Sequence, residues 1–311
     1  MMDTSNSGHL IRSEVWSGQL KEILEDDLNA QQWIDWMTEF PDGSQFTIPS
    51  IGQAQVDDYD ENESVQYRSI DTGEFVFTID NYKASGIYIT NKNKQDLFYF
   101  NQLVSSFVPK QERALQVAVE TNILGLQSQQ TASGLNNING APHRFVAGGT
   151  NEVMELADFA KAKYSLKKAN VPMTNLVAIV DPSVEYTFDT LTNLTNVSNN
   201  PRWEGIIETG IGTGMTFIKN IYGFDVYTSN YLADANETID SVTTAAGKAN
   251  LFFSAAPDVL PFKGAWRQLP TVDSSYNKDK QRDEYIVTGR WGSKLYRPEN
   301  LVVCLSDTDQ V

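Results

Sequence analysis

Side chains suited to acid–base, nucleophilic or metal chemistry are scarce in this chain of 311 residues, and poorly spaced where they occur. Histidine appears twice, as His9 in a polar terminus and as His143 in the loop Gly140-Ala141-Pro142-His143-Arg144, and both are expected at the surface. A nucleophilic triad needs a histidine beside its serine or cysteine, and a catalytic zinc centre usually draws on several, so neither has much material here. The single cysteine, Cys304, stands among Val302, Val303 and Leu305 in a strand-like run. It is expected to be a buried, inert thiol, and it cannot close a disulfide within the chain.

Glycines at 210, 212 and 214 superficially suggest a nucleotide loop, but Met215-Thr216-Phe217-Ile218 reads as a strand where a helix is required. No phosphate-loop lysine follows, so a turn between strands is expected. Asp58, Asp60 and Asn62 have the first spacings of a calcium loop, yet Glu63 stands where the glycine belongs and Ser69 where the bidentate glutamate belongs. That excludes an EF-hand and leaves only a looser divalent site open at the acidic tip. Forty acids permit many carboxylate pairs, but spacing singles out none. Residue chemistry points away from catalysis, and no cofactor or metal is expected.

Charge narrows the partners. Against 40 Asp+Glu stand 24 Lys+Arg, a net charge of −16. Polyanions such as duplex DNA, or an anionic membrane, are repelled on average because their affinity comes from clustered cations. No apolar run approaches the ~20 residues of a membrane helix, and the polar first ten residues lack the core of a secretion signal. A hydrophobic fraction of 41% and an aromatic fraction of 11% argue for a folded chain with a sizeable core, as one large or two ordinary domains.

The charge is unevenly spread. Residues 1–62 hold thirteen acids against Arg12 and Lys21, a balance of −11, leaving −5 for the other 249 residues. Within this segment Trp16, Leu20, Ile23, Leu24 and Leu28 keep helical spacing, and Trp33, Trp36, Met37 and Phe40 form a second apolar cluster that reaches Pro41. The pattern predicts either a helical pair packed on the domain's own core or an arm that buries its tryptophans against another subunit.

From residue 43 to 90 the period changes to two, through Phe46 and Ile48, Val65 and Tyr67, Phe75, Phe77 and Ile79, and Ile87 and Ile89. The tip between the first two runs is Asp57-Asp58-Tyr59-Asp60-Glu61-Asn62. A long antiparallel hairpin is expected, whose legs of about 13 residues reach ~43 Å, farther than its own domain readily covers. Helical spacing returns over 96–126, interrupted at Pro109, which must kink or split a rod of this length. Residues 127–151 read as an extended loop.

A further helix is predicted from Thr150-Asn151 to Asn170-Val171-Pro172, with Lys161, Lys163, Lys167 and Lys168 toward its negative end. Those lysines read either as a solvated helix end or as the basic counterpart of the acidic arm and hairpin. Strands are expected at 176–180, in two runs around Gly223, and at 249–254, 285–288 and 301–305, with a helix over 184–191. Residues 268–284 read as polar and turn-rich. The fold class is mixed α+β, without internal repeats.

Three stretches and the order of elements resemble a known family. Gly223-Phe224-Asp225-Val226-Tyr227-Thr228-Ser229-Asn230-Tyr231-Leu232 is similar to a strand ending in a Ser-Asn-x-Leu turn, and Arg290-Trp291-Gly292-Ser293-Lys294-Leu295-Tyr296-Arg297-Pro298-Glu299-Asn300-Leu301-Val302 to a closing Arg-Pro-Glu strand. Both resemble the major capsid proteins of tailed bacteriophages, which have the Hong Kong 97 type shell fold. Ile138-Asn139-Gly140-Ala141-Pro142-His143-Arg144-Phe145 resembles the version in phages of cyanobacteria and other aquatic hosts. The resemblance spans essentially the whole chain.

It implies an α+β phage capsid shell fold with an N-arm (1–42), a long β-hairpin extended loop (43–93), a peripheral domain with a spine helix (94–170), a mixed axial domain (171–284) and return strands to the peripheral domain (285–311). It also implies a structural, non-enzymatic protein that self-assembles as hexamers and pentamers into the icosahedral virion capsid, built in the host cytoplasm. The implied partners are other copies, a scaffolding protein during assembly, a portal protein at one vertex and, in some shells, a cement protein. DNA would be enclosed without sequence-specific binding, and no membrane is involved.

Inter-subunit candidates follow from the charge split: Asp57, Asp58, Asp60 and Glu61 at the hairpin tip, Trp33 and Trp36 in the arm, and Lys92, Lys94, Arg113, Lys161 and Lys168 as the opposing bases. Because the arm starts almost at once, a separate scaffolding protein is expected, and a non-covalent shell is the default although Lys83 and Asn300 could in principle crosslink. Two alternatives stay open: an encapsulin-type nanocompartment shell and a carboxylate-dependent enzyme.

Overall fold

A computed structural model of the chain describes residues 28, 30–37, 45–51, 72–96, 100–132, 136–190, 217–240, 242–244 and 247–307. The helix expected from Trp16, His9, the glycines at 210, 212 and 214, and the acidic tip at 57–62 lie outside them.

In chain order, a 3-10 turn (Ala30–Trp33) leads into β1 (Ile34–Met37), then β2 (Gln45–Ile51), β3 (Thr72–Thr78) and β4 (Asn81–Thr90). Three helices follow, α1 (Asn91–Asp96), α2 (Phe100–Gly125) and α3 (Ser128–Ala132), and then the short strands β5 (Asn137–Ile138), β6 (Ala141–Pro142) and β7 (Arg144–Val146). Next come α4 (Leu156–Lys168), β8 (Leu176–Val180), α5 (Pro182–Thr190), β9 (Phe217–Ile221) and β10 (Phe224–Thr228). The chain continues through β11 (Thr238–Ile239), β12 (Val242–Thr243), β13 (Gly247–Ser254), β14 (Phe262–Asn277), β15 (Arg282–Leu295) and β16 (Val302–Asp307).

Two sheets organise these elements. The first has the order β7-β16-β13-β8-β10-β9 and mixes parallel with antiparallel pairs. Every residue of β8 and β16 is buried, as expected of strands covered on both faces. One face meets α4 and α5, where the Phe159 ring stands edge-on to Phe188 at 5.2 Å and to Phe252 at 5.0 Å. The other carries Val177, Ile179, Leu251, Phe253 and Val303 against Leu115, Val119 and Ile123 of α2. Alternation along single strands therefore feeds two separate cores.

The second sheet, β1-β14-β15-β4, is a long ribbon on which α2 lies. The side-chain amide of Gln111 donates to the Ser85 carbonyl at 3.0 Å, and Leu115 packs on Gly289. At about 1.5 Å per residue, the 26 residues of α2 span ~39 Å. The helix runs through Pro109 unbroken, so the expected split does not occur. Tertiary packing of its C-terminal half outweighs the hydrogen bond that proline cannot make.

Several expectations are corrected. Trp33 and Trp36 do not sit on an α-helix: Trp33 ends the 3-10 turn, and Trp36 lies in β1, which pairs in parallel with β14, Ile34 opposite Phe262. Trp36 stacks on Trp266 at 5.1 Å, and Trp33 meets Phe253 at 6.2 Å, so the inter-strand ladder and the ring contacts override the helical spacing. The hairpin of β2 and β3 ends at Thr78, and β4 pairs instead with β15. Residues 127–151 are not one loop, since β7 completes the first sheet beside β16.

The helix expected from Thr150 starts at Leu156, because the Asp158 carboxylate accepts from the Glu155 backbone N–H at 2.9 Å and closes the helix end there. Residues 268–284, expected to be polar and turn-rich, form the outer end of the ribbon, with β14 distorted around Gln268 and Pro270 where a ladder donor is missing. The boundary placed at 284/285 falls inside β15, and β16 pairs with β13 in the first sheet while β15 belongs to the second.

Buried amides fasten the strand ends. Asn250 accepts from the Asp181 N–H at 2.9 Å and donates to Ser306 Oγ at 2.8 Å. Asn300 accepts from the Ser254 N–H and donates to the Ser254 carbonyl, both at 2.8 Å, acting as a strand partner where β13 ends. At Gly292 the ribbon lies so close to the hairpin base that an added Cβ would be 2.6 Å from the Thr78 carbonyl oxygen and 2.9 Å from the Ile79 Cα. Gly292→Ala is expected to cost about 1–3 kcal/mol, because backbone rather than a flexible side chain must shift; a urea midpoint equal to that of the unsubstituted chain would contradict this packing.

Candidate assembly surfaces

Among the described residues, Cys304 is structural as expected and His143, expected at the surface, is structural as well. His143 is buried between β6 and β7, its Nδ1 lies 3.1 Å from the Ala141 carbonyl oxygen, and its own carbonyl accepts from the Val303 N–H. Burial lowers its pKa, an effect only partly offset by the Ala141 and Glu299 carbonyls and the Glu299 charge. Cys304 is buried in β16, and desolvation pushes its thiol well above the usual value. Among the described residues no group of three histidine, cysteine or acidic side chains is placed to hold a metal ion.

Attention therefore turns to surfaces. Tyr82, Tyr88, Leu269, Val272, Tyr276 and Ile286 are exposed large hydrophobics, and all six belong to the ribbon. The face carrying Tyr88, Gly86 and Ile286 lines a shallow groove with Asp273 and Ser275. Arg282 lies over the Tyr88 ring at 4.4 Å and bonds Glu284 at 2.6 Å, which lowers the pKa of that carboxyl. Among the described residues, no strand pairs with the outer edge of β4 or, beyond Ala265, with the edge of β14 turned away from β15. Sequence reading missed this surface because both faces of β14 carry polar residues over 271–277, which erases the alternation that marks a half-buried strand.

The hairpin of β2 and β3 is a two-stranded sheet. Its base is held by Phe77, buried with Ile79 and Ala265, and by Phe75, edge-on to Tyr296 at 5.0 Å. A two-stranded hairpin is marginal by itself in water, so its outer part needs another surface.

The candidate side chains fall in different places. Trp33 and Trp36 are partly buried against their own core. Lys92 is exposed on α1, whereas Lys94 pairs with Asp283 of the same chain. Arg113 is half-buried on α2. Lys161 and Lys168 are both exposed on α4, so the structure brings these two together and separates them from Lys92. Asp57, Asp58, Asp60 and Glu61 lie outside the described residues. Asn300 is buried with both ends of its amide bonded, which removes it as a crosslinking partner for Lys83.

Sequence reading also missed a clamp. Arg144 on β7 is fully buried, with Nε and Nη2 each 2.7 Å from the Glu237 carboxylate and Nη1 2.6 Å from Gln127 Oε1. It ties the segment after α2 to the first sheet and to the loop before β11. The signal was an arginine at the head of the apolar run Arg144-Phe145-Val146, where a charge must be paired to be buried.

Searches with the sequence against family models and curated proteins found no match. Comparison of the fold with solved structures did. The capsid asymmetric unit of cyanophage Pam1 matches with a TM-score of 0.74 at 11% identity, covering 100% of both chains. The capsid structure of cyanophage P-SCSP1u matches with a TM-score of 0.69 at 14% identity, covering 98% of this chain and 95% of the other. The mature capsid asymmetric unit of bacteriophage PhiM1 matches with a TM-score of 0.69 at 11% identity, covering 99% and 96%. The chain has the mixed α+β shell fold of these phage capsid structures.

Two outcomes follow from the buried charges. A histidine whose folded pKa is depressed contributes stability above its ordinary value of about 6.5 and loses it as pH falls through the folded value. The urea midpoint should drop between about pH 7.5 and about pH 5.5, and His143→Leu should flatten that part of the drop; an unchanged slope in the variant would mean that His143 does not titrate there. Glu237→Gln should lower stability by about 2–3 kcal/mol, because it strands a buried guanidinium. Denaturant unfolding of the two chains measures it, and a loss near zero would show the Arg144 clamp to be idle.

Proposed function

We propose that this chain is a capsid shell protein, self-assembling as hexamers and pentamers into the icosahedral capsid that encloses a tailed-phage genome. The observation that carries this reading is the end-to-end likeness to capsid chains, with TM-scores of 0.69 to 0.74 and coverage of 95% or more of every chain compared. Likeness over part of the chain would mark a shared domain, whereas likeness over its whole length includes the hairpin and the ribbon, the parts that a lone subunit leaves under-packed.

Three physical features support it. Among the described residues no second layer covers the outer part of the two-stranded hairpin, and in this reading a neighbouring copy supplies one. The ribbon has open edges and exposed aromatics, which suit burial between copies. The negative balance of the chain keeps the wall from binding its contents tightly, so DNA is held without sequence-specific contacts. A scaffolding protein would direct closure, a portal protein would occupy one vertex, and a cement protein could cover the outside. In this reading the arm tryptophans and Lys92, Lys94 and Arg113 lie near boundaries between copies. The role is structural rather than enzymatic.

Negative-stain microscopy of the expressed chain, with and without its candidate scaffolding partner, tests the proposal. Closed shells or capsomer rings are expected. Uniform monomers under both conditions would overturn it.

A further inference from the structure

Where β14 and β15 pass the root of the hairpin, two lysines stand directly opposite each other in the antiparallel ladder, Lys263 across from Lys294. Like charges so placed cost stability unless something negative sits beside them. On the other side of Lys263, parallel pairing places Asp35 of β1, whose carboxylate lies 2.9 Å from the Lys263 ammonium. Asp35 therefore answers one of the two charges. Lys294 instead donates to the Val76 carbonyl of β3 at 2.7 Å, a neutral acceptor that leaves the charge unmatched.

A third cation joins them through two aromatic rings. The Lys263 ammonium lies 4.6 Å from the centroid of Tyr296, and the central guanidinium carbon of Arg297 lies 5.3 Å from the same centroid. Phe75 stands edge-on to Tyr296 at 5.0 Å and carries Lys294 over its own ring at 4.9 Å. Contacts of this kind orient the cations without neutralising them. Arg297 is exposed, and among the described residues no acid pairs with it or with Lys294. The charge of Glu299, two residues further on, acts on His143.

Three cations against Asp35 leave a local excess of two positive charges on a chain whose net charge is −16. The groups still free are all donors, since an ammonium with one bond made keeps further protons and a guanidinium is a fork of N–H groups. Such a cluster is complemented by a ligand that only accepts hydrogen bonds and carries about two negative charges. We infer that Lys263, Lys294 and Arg297 form a binding site for a phosphate dianion at the root of the hairpin. Arg297 supplies the fork that meets two oxygens of a tetrahedral oxyanion, the lysines supply point charges, and Tyr296 is the floor between them. A carboxylate is the less favoured occupant, because it cancels only one of the two charges. Lys294 also holds the Val76 carbonyl, so occupancy relieves the repulsion at the point where the hairpin joins the ribbon. All these groups belong to one subunit, and the site stands independently of the shell reading.

Titration calorimetry of the full chain with inorganic phosphate, at an ionic strength fixed with chloride, tests it, with thermal unfolding in the same buffers as a second readout. Saturable binding of a single phosphate per chain is expected, together with a rise in Tm that chloride at equal ionic strength does not give. Arg297→Gln, at an exposed position, should weaken that binding about tenfold, and Lys294→Gln, which keeps a donor for Val76, should do the same. A double variant on the exposed cations of α4, Lys167→Gln with Lys168→Gln, should leave it unchanged. If Lys294→Gln melts early without phosphate, Arg297→Gln carries the comparison alone.

Phosphate that gives no more heat or Tm shift than chloride would overturn the site. So would an equal loss of binding in the α4 variant, which would mean diffuse attraction to any cation. Acetate that matches phosphate would transfer the cluster to a carboxylate. A short single-stranded oligonucleotide that binds and loses affinity in Arg297→Gln, while inorganic phosphate does not bind, would assign the cluster to a nucleic-acid backbone instead.

Discussion

The six-stranded sheet has no face to give to solvent. Its central strands carry apolar side chains on both sides, with Leu176, Ala178 and Val180 facing one way and Val177 and Ile179 the other. Each face must find a cover, and the two covers differ. α4 and α5, drawn from the middle of the chain, close one side, while the other needs α2, the base of the ribbon and the segment from Ala30. At about 25 cal/mol per Å² of apolar area, that double burial is the largest stabilising term available to such a chain. Everything else is arranged around it.

The ribbon inherits its position from this demand. Phe262, Val287 and Trp291 belong to the core cluster under α2, so the basal parts of β14 and β15 are committed to the subunit interior. Beyond the pairing of Val272 with Val287 the same strands leave the core, and among the described residues they keep each other, β4, α1 and part of α2. A structure built this way has a rigid centre and a stiff, under-covered extension. The exposed tyrosines and open edges follow from the geometry of that extension, and a monomer gains nothing from them.

Electrostatics repeats the division. Acids crowd the first 62 residues, and the described bases are partly spent within the subunit: Arg144 on Glu237, Lys94 on Asp283, Lys263 on Asp35 at 2.9 Å. Among the described residues, no acid forms such a pair with the exposed lysines of α4. A shell whose subunits first meet through salt-sensitive charge pairs and then bury apolar area can reject misplaced contacts before they become permanent.

Local patterns made much of this legible. The unbroken apolar run at 176–180 announced a buried strand, Gly223 announced the turn between β9 and β10, and the period of 3.6 in residues 115–123 announced the buried stripe of α2. Charge counting located the acidic segment and the lysines of α4 without any coordinates. Other features were illegible for physical reasons. The helical spacing of Trp33 and Trp36 gave way to a parallel pairing with β14, some 230 residues away in sequence, which no local window can register. The outer part of β14 carried no alternation because a strand exposed on both faces has no reason to alternate. Sequence reading did not mark Arg144 as buried, because its partners Glu237 and Gln127 lie 93 and 17 residues away. What the sequence determined by itself was the set of strands and helices whose burial is encoded in their own periodicity, and the sign of charge along the chain. What only the tertiary structure decided was which distant segments share a sheet, which charges are consumed within the subunit and which remain on its surface, because those depend on contacts between residues far apart in the chain.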